Sequence, residues 1–187
     1  MELASQLRIQ ARANRLANRR LHAAIATLPE AEFGAARIGF FPSIGLTLNH
    51  ILAVDEYYVG ALHGLPGLVA ASRAFVPADS LNRLVPRQTA SDERLIAWCD
   101  RLDAAGCERA VRMERADHVQ TERAAHVLAH LFMHQTHHRG QVHGMLSGTA
   151  TQPPQLDEFL MPSEAALRID DMAALGWDET AVYGARL

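Results

Sequence analysis

HVLAHLFMHQTHHRGQVHGMLS, residues 126–147, is the stretch of sequence that decides the fold. Its apolar side chains recur every three or four positions and no proline interrupts them. This spacing predicts one long amphipathic helix, beginning near Thr121 and ending at Gly148. The same stretch carries six of the ten histidines in the chain. A helix so rich in one metal-binding side chain needs an explanation, structural or functional.

Three other segments have the periodicity of packed helices. The first is predicted at about 3–28, before Pro29, with an inner stripe that contains Asn14 and Asn18 among leucines and alanines. The second is predicted at about 44–63, after the good N-cap residue Ser43. The third is predicted to begin at Ser91, where Asp92 and Glu93 follow, and to end near residue 106.

The connections between these helices are long. Glycines and prolines predict a loop at 29–42 and an irregular stretch with one short helix at 64–89. Residues 107–120 are polar and have extended character, and a last helix is predicted at about 163–175. With no convincing strand pair, the pattern predicts an all-α fold: a four-helix bundle with long connections and an additional C-terminal helix.

Composition and charge narrow the class of protein. The 187 residues are 49% apolar and 21% charged, which suits one folded domain over 1–187, with a core at about 3–160 and an extension at about 161–187. The formal net charge is −3 and no basic stripe carries interleaved aromatics, so nucleic-acid binding is not expected. The five arginines between Arg8 and Arg20 are expected on a solvated face.

No apolar run is long enough for a membrane span, and the N-terminus lacks the pattern of a secretion signal. A cytoplasmic protein without a membrane partner is therefore expected. Two cysteines are present, Cys99 and Cys107, and we expect both to be free thiols.

His134 and His138 lie four residues apart, so both can reach one metal ion from the same helix face. Two ligands make a weak site, and His50, predicted to face inward on the second helix, is the best third candidate. Three histidines would leave coordination positions open for water or substrate. On spacing alone an alternative stays open, in which the row of histidines is half-buried and bonded to neighbouring polar groups.

A family resemblance bears on the choice between a metal site and a row of half-buried histidines. The residues that carry it are Phe40–Ile44 (FFPSI), Thr47–His50 (TLNH), Asp55, His134–Gln141 (HQTHHRGQ) and Asn14–Leu21 (NRLANRRL). Together they resemble the DinB/YfiT-like family of metal-dependent four-helix-bundle proteins, over about residues 5–160. One departure is Tyr58, where relatives often carry Trp, and this puts the shape of the pocket in question.

The resemblance implies one divalent metal ion held by His50, His134 and His138. An all-imidazole ligand set suits zinc, nickel, copper and iron, and zinc is the first choice, with nickel or iron as alternatives. It implies a transferase or isomerase in which the metal activates a small thiol or water against a small-molecule electrophile. A non-catalytic metal-binding or stress-response protein with a structural metal is the alternative, and His130 as a fourth ligand would favour it. A metal-free helical bundle that dimerises is a third hypothesis. A homodimer is also expected from the resemblance.

Other residues near the expected site have two interpretations. Asn14 and Asn18 could bond a metal-bound water or hold a ligand histidine, or they could fix helix register. Gln141 falls on the face of the histidine pair, and Tyr57 is expected in the core or in the pocket wall. Two further predictions concern charged residues: a structural hydrogen bond or ion pair for Asp55, and a salt bridge to another helix for Arg139. His143 is expected to be exposed.

Overall fold

Four long helices form the body of the molecule in the computed structural model, which describes residues 2–184. They are α1 (Leu3–Ile25), α2 (Ile44–Leu62), α4 (Leu81–Cys99) and α6 (Ala124–Leu146). Shorter elements lie between and after them: α3 (Leu68–Arg73), α5 (Ala104–Glu108), strands β1 (Ala110–Glu114) and β2 (Val119–Arg123), α7 (Ile169–Leu175) and α8 (Glu179–Tyr183). Single 3-10 segments occupy Glu30–Phe33 and Pro162–Arg168. The prediction of an all-α fold is confirmed.

The long helices pack side by side, with α1 and α2 each in contact with both α4 and α6. Their apolar side chains form two separate clusters along the length of the molecule. One cluster contains Trp98 and Leu128 and lies toward strands β1 and β2. The other contains Leu48 and Val142 and lies toward the opposite end. Between the two, every long helix contributes buried polar residues. We call these residues the polar layer: Asn14, Asn18, Asp55, Gln88, Asp92, Gln135 and Arg139.

Helix α4 begins ten residues earlier than the sequence predicts. Pro86 suggested a break, yet it lies inside the helix, exposed, near the end of the second turn. A proline there removes one backbone hydrogen bond without ending a helix whose other side is buried. Ser91 and Asp92 were expected at the N-terminus of this helix. They are instead buried in the middle of α4.

The expectation that the chain has no strand pair is wrong for residues 110–123. Strands β1 and β2 form an antiparallel hairpin in which Ala110 pairs with Arg123 and Glu114 with Val119. As a result, α6 begins at Ala124 and not near Thr121. Only Val111 and Met113 point into the core from this hairpin, so the alternation of polar and apolar residues is too short to read from sequence.

The arginines of α1 do not form the solvated face that was expected. Arg12 pairs with Asp100 at 2.6 Å, and Arg19 and Arg20 both bond Asp171. Asp171 belongs to the C-terminal segment, residues 156–183, which folds back over the outer side of α1 and packs Phe159, Met172 and Tyr183 there. The helix expected at 163–175 is present as a 3-10 segment that continues into α7.

Two smaller predictions can also be compared with the structure. Cys99 and Cys107 are free and buried, as expected. His143 is half-buried and not exposed, because its Nε2–H donates to the carbonyl oxygen of Pro154 at 3.0 Å.

Across residues 2–184, no helix combines the length and the apolar character needed to cross a bilayer.

Candidate metal centre

Three histidines converge between α2 and α6. One ring nitrogen from each of His50, His134 and His138 lies within 4.8 Å of the others. The Nε2 atoms of His50 and His134 are 2.9 Å apart, and the three ring centroids are separated by 4.5–4.9 Å. Two nitrogens that bind one zinc ion at about 2.0–2.1 Å lie about 2.9 to 3.4 Å apart for angles from 90° to tetrahedral. The spacing of the His50 and His134 nitrogens therefore suits a metal ion, with a nitrogen of His138 close by.

Local sequence fixes where His50 lies. The Ser43 side chain accepts a hydrogen bond from the N–H of Leu46 at 3.1 Å and so caps the N-terminus of α2. His50 follows in the second turn. The ring of Phe41, just before the cap, covers the histidines at 4.5 Å from His50 and 5.7 Å from His138. Sequence reasoning did not assign Phe41 to the site, although it lies in the segment that carried the resemblance.

Gln141 orients His138. Its Oε1 can only accept, so the 2.9 Å contact with Nδ1 of His138 places the ring hydrogen on Nδ1. This leaves the Nε2 lone pair of His138 available to a metal. The amide nitrogen of Gln141 donates to Nε2 of His137 at 3.0 Å, which ties the amide to the exposed flank of α6.

Burial keeps two of these imidazoles neutral. Burial, together with the neighbouring His138 and His50, lowers the pKa of His134 to about 4. Burial, followed by His138, also lowers the pKa of His50. A metal ion binds the unprotonated ring, so His50 and His134 are held in the form that an ion requires.

Other predicted residues lie outside the cluster. His130 is exposed; its ring packs on Tyr58 at 5.2 Å, and it is not a member of the converging group. Tyr57 points to the hairpin, where its hydroxyl donates to the carbonyl oxygen of Glu114, and it does not line the histidine site. Tyr57 was expected in the core or in the pocket wall, and it packs, half-buried, against the core cluster that contains Trp98 and Leu128.

Asn14 and Asn18 belong to the polar layer and do not bond the histidines. Their amide nitrogens donate to Asp92 at 3.3 and 3.0 Å, and their oxygens accept from Arg139. Of the two interpretations of these asparagines, the contacts favour the one in which they fix how the helices pack. Sequence reasoning missed Asp92 and Gln88 as members of this layer because it placed the start of α4 ten residues too late, at Ser91.

Asp55 is also a member of the layer, at the centre of the core. It accepts from the amide nitrogen of Gln88 at 2.6 Å, and the same nitrogen lies 3.1 Å from Asp92. The structural hydrogen bond predicted for Asp55 is thus present. Burial, followed by the charge of Asp92, raises the pKa of Asp55 to about 8, and burial raises that of Asp92 to about 6.

The salt bridge predicted for Arg139 is replaced by hydrogen bonds to amides. Its Nη1 donates to the side-chain oxygens of Asn14, Asn18 and Gln135, and these amides separate it from the carboxylates. Burial lowers the pKa of Arg139 to about 10.

The sequence model of the DinB family matches residues 7–172. The chain belongs to the DinB family. The matched region includes most of α1, the other three long helices and all three converging histidines. No curated protein shows significant similarity to the chain. For this DinB family member, the family assignment and the three-histidine cluster together fit the binding of a metal ion.

Proposed function

We propose that this DinB family protein binds one divalent metal ion through His50, His134 and His138 and uses it to activate a small thiol or water. The observation that carries the proposal is the convergence of three imidazoles from two helices. Zinc suits an all-imidazole site, as do nickel and iron. The reaction proposed is transfer to, or isomerisation of, a small electrophilic molecule.

The absence of His130 from the converging group supports a catalytic over a purely structural metal. Structural zinc sites are closed by four protein ligands, whereas catalytic sites have three and leave a position open. A divalent ion in such a site lowers the pKa of a bound thiol or water and so supplies a nucleophile at neutral pH. Three neutral ligands leave the full charge of the ion available for this purpose.

The residues of the chain itself have supporting roles in this proposal. Gln141 holds His138 in one tautomer, and Phe41 shields one side of the imidazoles from water. The buried Cys99 is a poor candidate for the thiol, since burial raises its pKa to about 12. The nucleophile should therefore come from outside the protein. We also propose that the protein forms a homodimer, acts on a small-molecule substrate and has no nucleic-acid partner.

Elemental analysis of protein purified without an affinity tag tests metal binding. We expect about one divalent ion per chain, lost in His138→Ala because a site with two ligands is weak. His126→Ala is the matched control: it lies on the same helix, about three turns earlier and exposed, and should keep the ion. Equal loss in both variants, or no ion in the wild type after zinc addition, would show the proposal to be wrong.

A screen for thiol transfer tests the catalytic part separately. Activity with an external thiol should survive the double replacement Cys99→Ser, Cys107→Ser and disappear on removal of the metal with a chelator. Turnover that continues after complete metal removal contradicts the mechanism while leaving metal binding itself intact.

A further inference from the structure

Arg139 is a buried cation with no carboxylate beside it. Three arginines are buried among residues 2–184, and two of them have acidic partners: Arg15 lies 3.9 Å from Asp92, and Arg168 pairs with Glu179. In the described part of the chain, no carboxylate oxygen lies within 4 Å of the Arg139 guanidinium. Buried charges are normally paired, so this one calls for a partner.

Only one edge of this guanidinium is satisfied. Nη1 donates to three amide oxygens of the polar layer, as described above. Nη2 reaches only the hydroxyl of Thr136 at 3.5 Å, which is at the outer limit of a hydrogen bond. The charged carboxylate of the layer, Asp92, does not bond this guanidinium directly, because the amides of Asn14 and Asn18 lie between the two: they donate to Asp92 and accept from Arg139.

Arg139 lines a groove between α1 and α6, together with Thr136, the residue whose hydroxyl is nearest to Nη2. The groove has a volume of about 230 Å³, below the ~300–1,000 Å³ typical of sites for drug-sized ligands. Its apolar walls come from Phe132, Phe159 and Leu156, and Asp157 contributes a carboxylate to the lining. It opens on the α1 side of α6, whereas the histidine cluster opens toward α2.

We propose that this groove binds a small monocarboxylate with an apolar or aromatic tail, with Nη2 of Arg139 as its main donor. A guanidinium edge matches the planar carboxylate group, and the phenylalanine walls suit the tail. Asp157 disfavours ligands with a second negative charge, such as phosphates. The proposal does not rest on the metal centre and holds whether or not an ion is bound there.

A titration of metal-free protein with benzoate and its neutral analogue benzamide, followed by backbone amide NMR shifts, tests this site. Benzoate should bind saturably and shift the amides of Ala13 and Thr136, and benzamide should bind about tenfold or more weakly because it lacks the charge. Equal affinities, no saturable binding of benzoate, or shifts confined to the surroundings of His50 would each overturn the proposal.

Two variants locate the site. Ala13→Leu fills the groove without touching Arg139 and should weaken benzoate binding about tenfold or more. Ala129→Leu is its control, because that alanine is exposed on α6 outside the groove. Arg139→Gln should remove the preference for benzoate over benzamide, provided that circular dichroism shows a folded protein. Unchanged benzoate affinity in Ala13→Leu contradicts the proposal whether or not the arginine variant folds.

Discussion

At the scale of single residues, the side-chain amide of Gln141 determines which ring nitrogen of His138 is free to bind a metal. Gln141 accepts from Nδ1 and thereby frees Nε2. Groups that hold a ligand histidine in this way commonly contribute a factor of about 10–100 to metal affinity. We therefore expect Gln141→Leu to weaken zinc binding by about that factor, measured by competition with a chromophoric chelator.

Gln141→Glu is the matched control, since a carboxylate oxygen can still accept from Nδ1. It should bind zinc at least as tightly as the wild type. If the leucine variant binds zinc as tightly as the wild type, Gln141 does not orient the ligand.

A second prediction at this scale concerns Asp55. Its pKa is about 8 in the folded protein but ~3.9 in an unfolded chain, so between these values only the folded state holds the proton. The stability contributed by this group is therefore complete below the unfolded value and is lost as pH rises toward 8. We expect the free energy of unfolding to fall by about 1 kcal/mol per pH unit between pH 6.5 and 8.

Urea titrations in the presence of a chelator measure this slope. Asp55→Asn should remove it, because the amide cannot titrate. The slope should remain in Asp170→Asn, which replaces an exposed acid on α7. His22, whose pKa burial lowers to about 3, has the opposite effect: its contribution is lost as pH falls below about 6.5. An undiminished slope in Asp55→Asn would contradict the assignment.

At the scale of elements, α4 tolerates a proline because the helix is held by its buried face. Pro86 is exposed and leaves the carbonyl of Asn82 without its helical donor. Pro86→Ala should therefore raise the free energy of unfolding by about 1–3 kcal/mol, as measured by urea denaturation. Pro66→Ala, in the exposed turn before α3, should give no gain, since that proline breaks no helix. A loss of stability in the first variant would show that Pro86 fits α4 without strain.

The row of histidines on α6 shows how much of the metal site a single helix determines. A step of four residues places His134 and His138 on one face of any helix, whatever surrounds it. The same row continues to His130 and His126, which are exposed. The partner helix α2 decides which pair becomes a site, because only its second turn brings His50 alongside.

At the scale of the whole molecule, the C-terminal segment turns an expected solvated face of α1 into an interior one. Asp171, 8% exposed, accepts from both Arg19 and Arg20. Asp171→Ala should cost about 2 kcal/mol of unfolding free energy, because it leaves two partly buried arginines without this partner. Asp170→Ala, at the exposed neighbouring position, is the control and should change stability little. Equal effects of the two replacements would show that these ion pairs do not hold the segment in place.

The sequence alone was enough to predict the all-α class, the approximate positions of the long helices, the cap at Ser43 and the facing pair His134 and His138. All of these depend on local geometry, in which spacing along one helix fixes which residues share a face. His50 was added by its inward position and by the family resemblance. The free thiols followed from composition.

Only the tertiary structure decided which residues fill the centre of the molecule. A helix turns about 100° per residue, so an error of one position moves a side chain from core to flank. The sequence predicted a structural hydrogen bond or ion pair for Asp55, but only the packing of α2 against α4 places this residue in the buried centre, beside Gln88. The polar layer, the cover of Phe41 over His138 and the burial of the α1 arginines depend on contacts between residues about 30 to 150 positions apart, which no local pattern of the sequence records.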